Sequence, residues 1–248
     1  MIRLRGVSKS FGSQLVLDQI DMDIATGTRL CIVGGSGAGK SVLTKLILGL
    51  EEPDAGEIFI DDQAVGDFRP GDWQRVLYDF GVVFQGAALF DSLSVLENVG
   101  IRLFEARELP PGEIVTQVEA ALRLVGLSPE VMSKYPAELS GGMRKRVGIA
   151  RAIIHRPRYL IYDEPTTGLD PISSQLIDDL IVGLSREPGR TSLIITHDMD
   201  TVRHVGGEVA MIADQRLLFY GPVQDFLRSD QPYIRSFLQR STQSRAGL

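Results

Sequence analysis

The chain has 248 residues, of which 44% are hydrophobic and 23% charged, so it is long enough to bury a core as one large domain or two small ones. Its formal net charge of −6 disfavours nucleic acid as a partner, because a phosphate backbone is held by a basic surface. The single cysteine, Cys31, excludes a disulfide framework and a cysteine-based metal site, and it suits a reducing compartment.

The chain opens on a strand-like pattern rather than an apolar leader, so we expect no signal peptide. Its apolar runs are only as long as strands, so we expect no membrane span from this chain. Short apolar segments predict strands at Ile2–Val7, Leu15–Ile24, Arg29–Val33, Glu57–Ile60, Gly81–Phe84, Tyr159–Tyr162, Ser192–Ile195, Val209–Ala213 and Leu217–Tyr220. The first, second and fourth of these alternate like a half-exposed antiparallel sheet, which predicts an N-terminal β-subdomain.

Helical signals replace strand signals between Gly86 and Pro157. One helix is predicted behind Pro110-Pro111-Gly112, where apolar residues recur at helical spacing: Ile114, Val118, Leu122 and Val125. Another begins at Asp170-Pro171 and is expected to bury Leu176, Ile177, Leu180, Ile181 and Leu184. Two short helices, around Val223–Arg228 and Tyr233–Gln239, are expected to pack on their own domain.

Alternating strands and helices are typical of an α/β fold with a mainly parallel sheet. We predict a single domain over residues 1–240. Within it we expect a core with the β-subdomain at 1–85 and 158–221, a helical subdomain at 86–157, C-terminal helices at 222–240 and, beyond them, a frayed tail at 241–248.

A glycine-rich segment follows the strand Arg29–Val33 and precedes a helical pattern over Val42–Leu50. It reads Gly34-Gly35-Ser36-Gly37-Ala38-Gly39-Lys40-Ser41 and fits G-x-x-x-x-G-K-[ST], the phosphate-binding loop. Small residues let consecutive backbone N–H groups turn toward a phosphate, and the helix adds the positive end of its dipole. We expect Lys40 to contact the β- and γ-phosphates and Ser41 to bind Mg²⁺.

A pair of acids ends the predicted strand Tyr159–Tyr162. Ligands of α/β sheets bind at this carboxyl edge, so Asp163 is expected to hold Mg²⁺ through water and Glu164 to orient or deprotonate an attacking water. Because Pro165 follows, we expect an extended backbone at Glu164.

Leu139-Ser140-Gly141-Gly142-Met143 opens a helical run rich in Arg and Lys: Arg144, Lys145, Arg146 and Arg151. Alone, Ser-Gly-Gly is an ordinary helix cap. In the order phosphate loop, Gln85, Leu-Ser-Gly-Gly, Asp-Glu, Gly168-Leu169-Asp170 and His197, these segments resemble the motif set of ATP-binding cassette (ABC) ATPases over about residues 2–238. The resemblance implies a P-loop NTPase (RecA-like) core that hydrolyses ATP with Mg²⁺.

The resemblance also implies roles for single residues. Phe11 would stack on adenine with Val16 beside it, Gln85 would touch Mg²⁺ and the attacking water, and His197 would contact the γ-phosphate. Asp170 would reach across a head-to-tail dimer, in which Ser140, Gly141 and Gly142 of one chain cover the ATP of the other. Val42 stands where the family often has Thr and Met143 where it often has Gln, so nucleotide affinity is expected to be slightly lower and catalysis intact.

Four segments taken together are similar to the Mla/Mce-type lipid-transport ATPases. They are Phe84–Val99, Ser140–Arg146, Pro165–Ile172 and the ending Gly221–Leu238, and the stretches Gln85–Phe90 and Met143–Arg146 are the most specific parts. That resemblance implies phospholipid trafficking at the cytoplasmic face of a bacterial inner membrane, where the chain is peripheral. The implied partners are a second copy, membrane permease subunits, an MCE-domain lipid-binding subunit and, in some members, a STAS-domain regulator.

Two alternatives remain open. The chain could be the ATPase of an ABC transporter for another small-molecule cargo, either an importer or an exporter. It could also be a soluble ABC protein acting on ribosomes or DNA, which is disfavoured by the single cassette, the absence of a heptad run and the acidic charge.

Overall fold

The computed structural model describes residues 1–243. The chain folds into two compact units: the first combines Met1–Trp73 with the C-terminal segment that starts at Leu193, and the second is Gln74–Ser192. The predicted helical subdomain at 86–157 lies inside the second unit, which also contains flanking strands. The frayed tail predicted at 241–248 is wrong for residues 241–243, which belong to the last helix, and its residues 244–248 lie outside the described part of the chain.

In chain order, the strands of the described residues are β1 (Ile2–Phe11), β2 (Gln14–Ile24), β3 (Arg29–Val33), β4 (Ala55–Ile60), β5 (Gln63–Ala64), β6 (Phe80–Val83), β7 (Tyr159–Asp163), β8 (Thr191–Ile195), β9 (Glu208–Ala213) and β10 (Arg216–Pro222). Every strand predicted from the sequence is present, with ends that differ by a few residues. Only the two-residue β5 has no counterpart in the sequence prediction.

The helices of the same residues are α1 (Lys40–Ile47), α2 (Pro70–Tyr78), α3 (Val95–Ala106), α4 (Pro111–Leu124), α5 (Gly141–Ile153), α6 (Pro171–Leu184), α7 (Met199–Val205), α8 (Val223–Leu227) and α9 (Pro232–Gln243). Short 3₁₀ turns occur at Val65–Asp67, Pro129–Ser133 and Pro136–Glu138. No helix in residues 1–243 combines the length and the apolar character that crossing a bilayer requires.

The first unit contains the predicted antiparallel β-subdomain, with strand order β2-β1-β4-β5. Its register pairs Ile2 with Ile24 on one side and with Ile60 on the other, and all three side chains are buried. The same unit places β9 between β3, to which it is parallel, and the antiparallel β10. The fold is therefore α/β with an antiparallel β-subdomain, as predicted.

The C-terminal helices of the first unit pack on their own unit, as predicted. The Phe226 ring of α8 is fully buried, and its centroid lies 5.3 Å from that of Phe219 on β10. Ile234 of α9 is also fully buried. Burial of these side chains fixes both helices within the first unit.

The second unit contains the parallel pair β6 and β7 together with helices α3 to α6. Helix α4 buries Ile114, Val118 and Leu122, as their spacing predicts. Helix α6 buries Ile177, Ile181 and Leu184, but the prediction for Leu176 is wrong, because this side chain is 50% exposed. A strict 3–4 spacing fills one narrow face of a helix, and Leu176 lies on the flank of that face.

Candidate functional site

The glycine-rich loop of the first unit connects the buried strand β3 to helix α1. Gly37 and Gly39 have φ of 76° and 98°, a backbone conformation that glycine adopts without strain. A Cβ on Gly34 would lie 2.3 Å from the backbone oxygen of Ile212 on β9, so a side chain is excluded there. A Cβ on Gly35 or Gly37 would meet nothing within 4 Å, so this part of the loop borders open space.

Lys40 begins helix α1 and folds back over the loop. Its ammonium donates to the backbone oxygens of Gly34 at 2.9 Å and Gly35 at 3.0 Å, and only 9% of the residue is exposed. No side chain caps the helix at Gly39, and the first turn contains no acidic residue. Open backbone, an uncapped helix N-terminus and a buried ammonium form a donor set that fits phosphate.

Two residues proposed for the nucleotide base also lie in the first unit. Val16 contacts the end of the loop, since a Cβ on Gly39 would come within 3.2 Å of Val16 Cγ1. Phe11 ends β1 and is 45% exposed. The Lys9 ammonium lies 5.4 Å from the centroid of the Phe11 ring, which is cation–π range.

His197 follows β8, and its position is set by the backbone just before it. The N–H of Thr196 donates to the oxygen of Ile32 on β3 at 3.1 Å, so His197 begins beside the end of the strand that leads into the phosphate loop. The imidazole is exposed, whereas Thr196 is fully buried. The structure thus places His197 on a fixed backbone with its ring accessible.

The acidic pair of the second unit ends β7, whose first four residues are buried. The extended backbone expected at Glu164 is wrong, because its φ is 48°. A left-handed backbone costs a residue with a side chain roughly 1–2 kcal/mol, and the following Pro165 opposes helical conformations as well. The Glu164 carboxylate accepts a hydrogen bond from the Thr167 hydroxyl at 3.1 Å. Strain of this kind occurs preferentially at functional sites.

Gln85 follows β6 and is exposed. The backbone turns sharply after it: Ala87 and Ala88 have φ of 62° and 45°, and the Ala87 N–H donates to the Phe84 oxygen at 2.8 Å. Helix α5 supports this turn, because Arg151 donates to the backbone oxygens of both alanines at 2.7 Å.

Lys145 of α5 joins two of the predicted site residues within the second unit. Its ammonium donates to the backbone oxygen of Gln85 and, at 3.1 Å, to that of Glu164. The sequence reveals the basic character of α5 but not this role. The helical spacing of α5 could have indicated that Lys145 is buried, since it shares a helix face with Gly148 and Ala152, which are both buried.

The Ser140-Gly141-Gly142 loop begins α5. The Ser140 hydroxyl accepts the N–H of Met143 at 3.3 Å, while Ser140 and Gly141 are exposed. Asp170 caps α6 in the same way, accepting the N–H and the hydroxyl of Ser173 at 3.0 Å and 2.5 Å. Those two hydrogen bonds, the hydroxyl first, hold the pKa of the Asp170 carboxyl below its usual range.

The candidate Mg²⁺ ligands are few and hard. Ser41 is exposed at the start of α1 in the first unit, and Asp163 is half-buried at the end of β7 in the second. Among residues 1–243, no three His, Cys, Asp or Glu side chains are grouped to hold a metal by themselves. A hydroxyl, a carboxylate and the amide oxygen of Gln85 are each of the oxygen ligand types that Mg²⁺ takes, besides waters and substrate phosphate oxygens.

The sequence profile of the ABC transporter family matches residues 17–167. Three curated relatives align with nearly the whole chain. They are "Probable ribonucleotide transport ATP-binding protein mkl" of Mycobacterium leprae (37% identity, 96% of this chain, 68% of the relative), "Protein TRIGALACTOSYLDIACYLGLYCEROL 3, chloroplastic" of Arabidopsis thaliana (38%, 96% and 73%), and "Methionine import ATP-binding protein MetN" of Caulobacter vibrioides (38%, 97% and 73%). The chain therefore spans about two thirds to three quarters of these relatives.

Solved structures agree with the fold. The dimeric post-hydrolysis state of the ATP-binding cassette MJ0796, bound to ADP and Pi, is 29% identical and matches 90% of this chain and 99% of its own, with a TM-score of 0.81. The structure of cbiO1 from Clostridium perfringens, part of the ABC transporter complex cbiONQ, is 30% identical and matches 98% of this chain and 96% of its own, with a TM-score of 0.83.

Proposed function

The chain belongs to the ABC transporter family as an ATP-hydrolysing subunit, and from that premise we propose that the transport it energises is the movement of lipid. In this proposal two copies of the chain close head to tail on two ATP molecules. Their closure moves membrane permease subunits that connect to an MCE-domain lipid-binding subunit, and a STAS-domain regulator is a further partner. The chain would be peripheral at the cytoplasmic face of the inner membrane.

One observation carries the choice of lipid. The chain is 38% identical, over 96% of its length, to a relative named for trigalactosyldiacylglycerol, which is a lipid. The segments Gln85–Phe90 and Met143–Arg146, which resemble those of the Mla/Mce-type ATPases, support the same cargo. Cargo contacts in such transporters belong to other subunits, so this support comes from the whole cassette rather than from a pocket in it.

A second candidate cargo is a small polar molecule. The relatives mkl and MetN are named for ribonucleotide transport and methionine import, at 37% and 38% identity. The identities to these relatives are nearly equal to the identity to the lipid-named one, so percentage identity does not separate the cargoes. The two cargoes are therefore distinguished by identifying the proteins and lipids that bind the chain.

We propose a role in ATP binding or hydrolysis for each residue of the family motifs. Lys40 and the backbone N–H groups of the loop at 34–39 hold the β- and γ-phosphates, while Phe11 and Val16 contact the base. Ser41, Gln85 and Asp163 would hold Mg²⁺, which supplies positive charge to the phosphate oxygens. Glu164 accepts the proton of the attacking water or orients it, and His197 donates to the γ-phosphate.

Glu164→Gln is the test of the hydrolytic site. The amide keeps the shape of the side chain but cannot accept a proton as a carboxylate does, so we expect turnover to fall by roughly 10²- to 10⁴-fold. ATP binding is expected to persist, because the phosphate contacts lie elsewhere. Steady-state phosphate release and equilibrium binding of ATP measure the two effects, and near-normal turnover in Glu164→Gln would contradict the role of Glu164.

Co-purification tests the cargo. The tagged chain is extracted from native membranes with a mild detergent, and bound proteins and lipids are identified by mass spectrometry, with untagged cells as control. We expect a polytopic permease, an MCE-domain protein and phospholipid. Recovery of a different permease with a solute-binding protein would assign the chain to small-molecule import instead, and recovery of ribosomes would refute transport.

A further inference from the structure

Helix α5 directs two of its cations inward, onto backbone oxygens. Lys145 is only 6% exposed and donates to the oxygens of Gln85 and Glu164. Further along the helix, Arg151 donates to the oxygens of Ala87 and Ala88. A single helix therefore holds both segments that carry the proposed catalytic residues of the second unit.

The backbone at these contacts is strained. Glu164, Ala87 and Ala88 all have positive φ, although none of them is glycine. Such conformations persist only where the surroundings over-determine them. Here the surroundings are the two cations and a close approach of the helix, since a Cβ on Gly148 would lie 3.2 Å from the Ala87 Cβ.

The electrostatics agree with a specific role. Only 6% of Lys145 is exposed, so the ammonium has little water around it. Burial is costly for an ammonium unless strong acceptors replace its water. Two carbonyl oxygens of strained turns are such acceptors, and an apolar side chain of the same length would leave them without this donor.

We propose that Lys145 and Arg151 are positioning residues for ATP hydrolysis. Lys145 fixes the backbone of Gln85 and Glu164, and Arg151 fixes the turn that follows Gln85. Together they set the place from which the Gln85 and Glu164 side chains act on the attacking water. Because Ser140 caps the N-terminus of α5, a shift of this helix displaces the loop at Ser140–Gly142 and both anchored residues together. This inference rests on the proposed roles of Gln85 and Glu164, and it adds the element that couples them.

The first measurement compares Lys145→Met with Lys145→Arg. Methionine preserves the apolar stem and removes the donor, so we expect kcat to fall about 10- to 100-fold while KM for ATP changes by about twofold or less, as for a misplaced catalytic group. Arginine keeps a cation that can reach both oxygens and is expected to restore most of kcat. Arg123→Met is the control, because Arg123 is exposed on α4 and forms an ion pair with Glu119 of the same helix.

The second measurement is hydrogen exchange of the full-length protein. In Lys145→Met we expect faster exchange at the amides of residues 85–88 and 164–167, with α4 unchanged. Lys145→Gln, which retains one N–H donor group, serves if the methionine variant does not fold, and its kcat and exchange are expected to lie between those of Lys145→Met and the wild type. A lower kcat without faster exchange at both segments would overturn the inference.

Glu164→Gln, assayed in parallel, separates this inference from the proposed function. If Glu164→Gln hydrolyses ATP normally, the proposed hydrolytic site fails, and this inference fails with it. If Glu164→Gln is inactive but Lys145→Met has wild-type kcat, only the positioning role is overturned. If both lose kcat and the arginine variant recovers it, the positioning role is supported.

Discussion

His155 is a buried histidine whose ring is held as a neutral group. Its Nε2 lies 3.1 Å from Arg102 Nη1 and 3.2 Å from the backbone oxygen of Phe80. Its Nδ1 is buried without a hydrogen-bond partner among residues 1–243. Burial first, and then the neighbouring Arg102 guanidinium, lower the pKa of His155 to about 4. We infer that His155 is a structural residue, since it matches none of the catalytic motifs.

This environment predicts a pH dependence of stability. The unfolded chain binds a proton at His155 below about pH 6.5 whereas the folded chain does not until about pH 4, so stability falls as the pH drops between these values. We expect the free energy of unfolding to fall by about 2 kcal/mol between pH 7 and pH 5 on account of this residue. Urea unfolding of the wild type and of His155→Gln measures it, and an equal pH dependence in the two proteins would contradict the argument.

Hydrogen bonds of Lys9 and Ser10 hold the end of β1 next to Phe11, and we call this set of contacts the polar clamp. The Lys9 ammonium donates to the Glu52 backbone oxygen at 2.7 Å and to the Asp54 carboxylate at 3.1 Å. The same carboxylate accepts the N–H of Ser10 at 2.6 Å. These bonds, that of Ser10 first, lower the pKa of Asp54. The clamp fixes the backbone next to Phe11 and places a cation near its ring.

We therefore expect Phe11 to contribute a stacking surface for the base. Phe11→Ala removes that surface, and base stacking is worth about 1–3 kcal/mol, so the Kd for ATP is expected to rise by about 10-fold or more. Phe11→Tyr keeps the aromatic face and is the matched control. Calorimetric titration with ATP measures both variants. Equal affinity in Phe11→Ala and the wild type would place the base elsewhere.

At single residues, the sequence predicts chemistry better than conformation. The phosphate-loop motif that ends in Lys40, followed by the acidic pair Asp163-Glu164 at the end of a strand, is enough to indicate an ATPase site. The left-handed backbone of Glu164 is not predictable from its neighbours, since Pro165 indicates the opposite. The contact made there comes from far along the chain, since the Glu164 oxygen accepts a hydrogen bond from Lys145, 19 residues away.

Among the elements, α3 shows how one side chain can organise the segment before a helix. A capping box begins the helix, in which the Ser94 hydroxyl accepts the Glu97 N–H and the Glu97 carboxylate accepts the Ser94 N–H. Asn98 is fully buried and donates to the backbone oxygens of Phe90, Leu93 and Ser94 at 3.0, 2.8 and 3.0 Å. Its own oxygen accepts the Phe90 N–H at 2.8 Å.

Asn98→Ala is expected to destabilise the protein substantially. The substitution leaves the part-buried Phe90 N–H without its acceptor and the Leu93 oxygen without its side-chain donor, which costs about 2–4 kcal/mol together. The oxygens of Phe90 and Ser94 keep backbone donors, the N–H groups of Leu93 and Asn98. Chemical denaturation measures the loss. Gln117→Ala, an exposed change in α4, is the control and is expected to cost less than about 0.5 kcal/mol. Similar unfolding midpoints for the two variants would mean that the Asn98 hydrogen bonds add little.

Helices whose apolar residues recur at helical spacing are predictable from the sequence. Helices whose position depends on contacts with other elements are not. Helix α4 has Pro111 at its start and a clean apolar face, so the sequence predicts its start and its core. Helix α2 (Pro70–Tyr78) is missed, because its sequence is mainly polar and its apolar residues show no sustained helical period. Contacts supplied from elsewhere in the first unit help place it, as where Trp73 packs against Gly49 so closely that a Cβ there would collide.

At the scale of the whole molecule, the loop at Ser140–Gly142 is exposed and available to a second copy of the chain. It begins α5 with Ser140 and Gly141 exposed, and no acidic residue lies in the first turn of that helix. An exposed helix N-terminus of this kind favours an anion. In the proposed dimer that anion is the γ-phosphate held by Lys40 of the partner chain, so each site needs residues from two copies.

Two inactive variants should therefore complement each other. Lys40→Ala removes the phosphate contact, and Gly141→Asp places a negative charge where the γ-phosphate would lie, so each variant alone is expected to hydrolyse almost no ATP. In a mixed head-to-tail dimer, one site carries both defects and the other carries neither. Mixing equal amounts gives half mixed dimers with one intact site of two, so activity is expected to return to about a quarter of the wild-type value if the sites act independently.

Each variant alone and each variant mixed with Glu164→Gln are the controls. In this proposal Glu164 acts on the ATP of its own chain. The mixed dimer of Glu164→Gln with Gly141→Asp therefore also has one intact site. The mixed dimer of Glu164→Gln with Lys40→Ala has none, since the two defects then fall on opposite sites. Steady-state phosphate release from the mixtures measures recovery. If each site were built within one chain, no mixture would recover activity. Recovery in the two mixtures that contain Gly141→Asp, and not in Glu164→Gln with Lys40→Ala, requires Lys40 and Gly141 of one site to come from different copies.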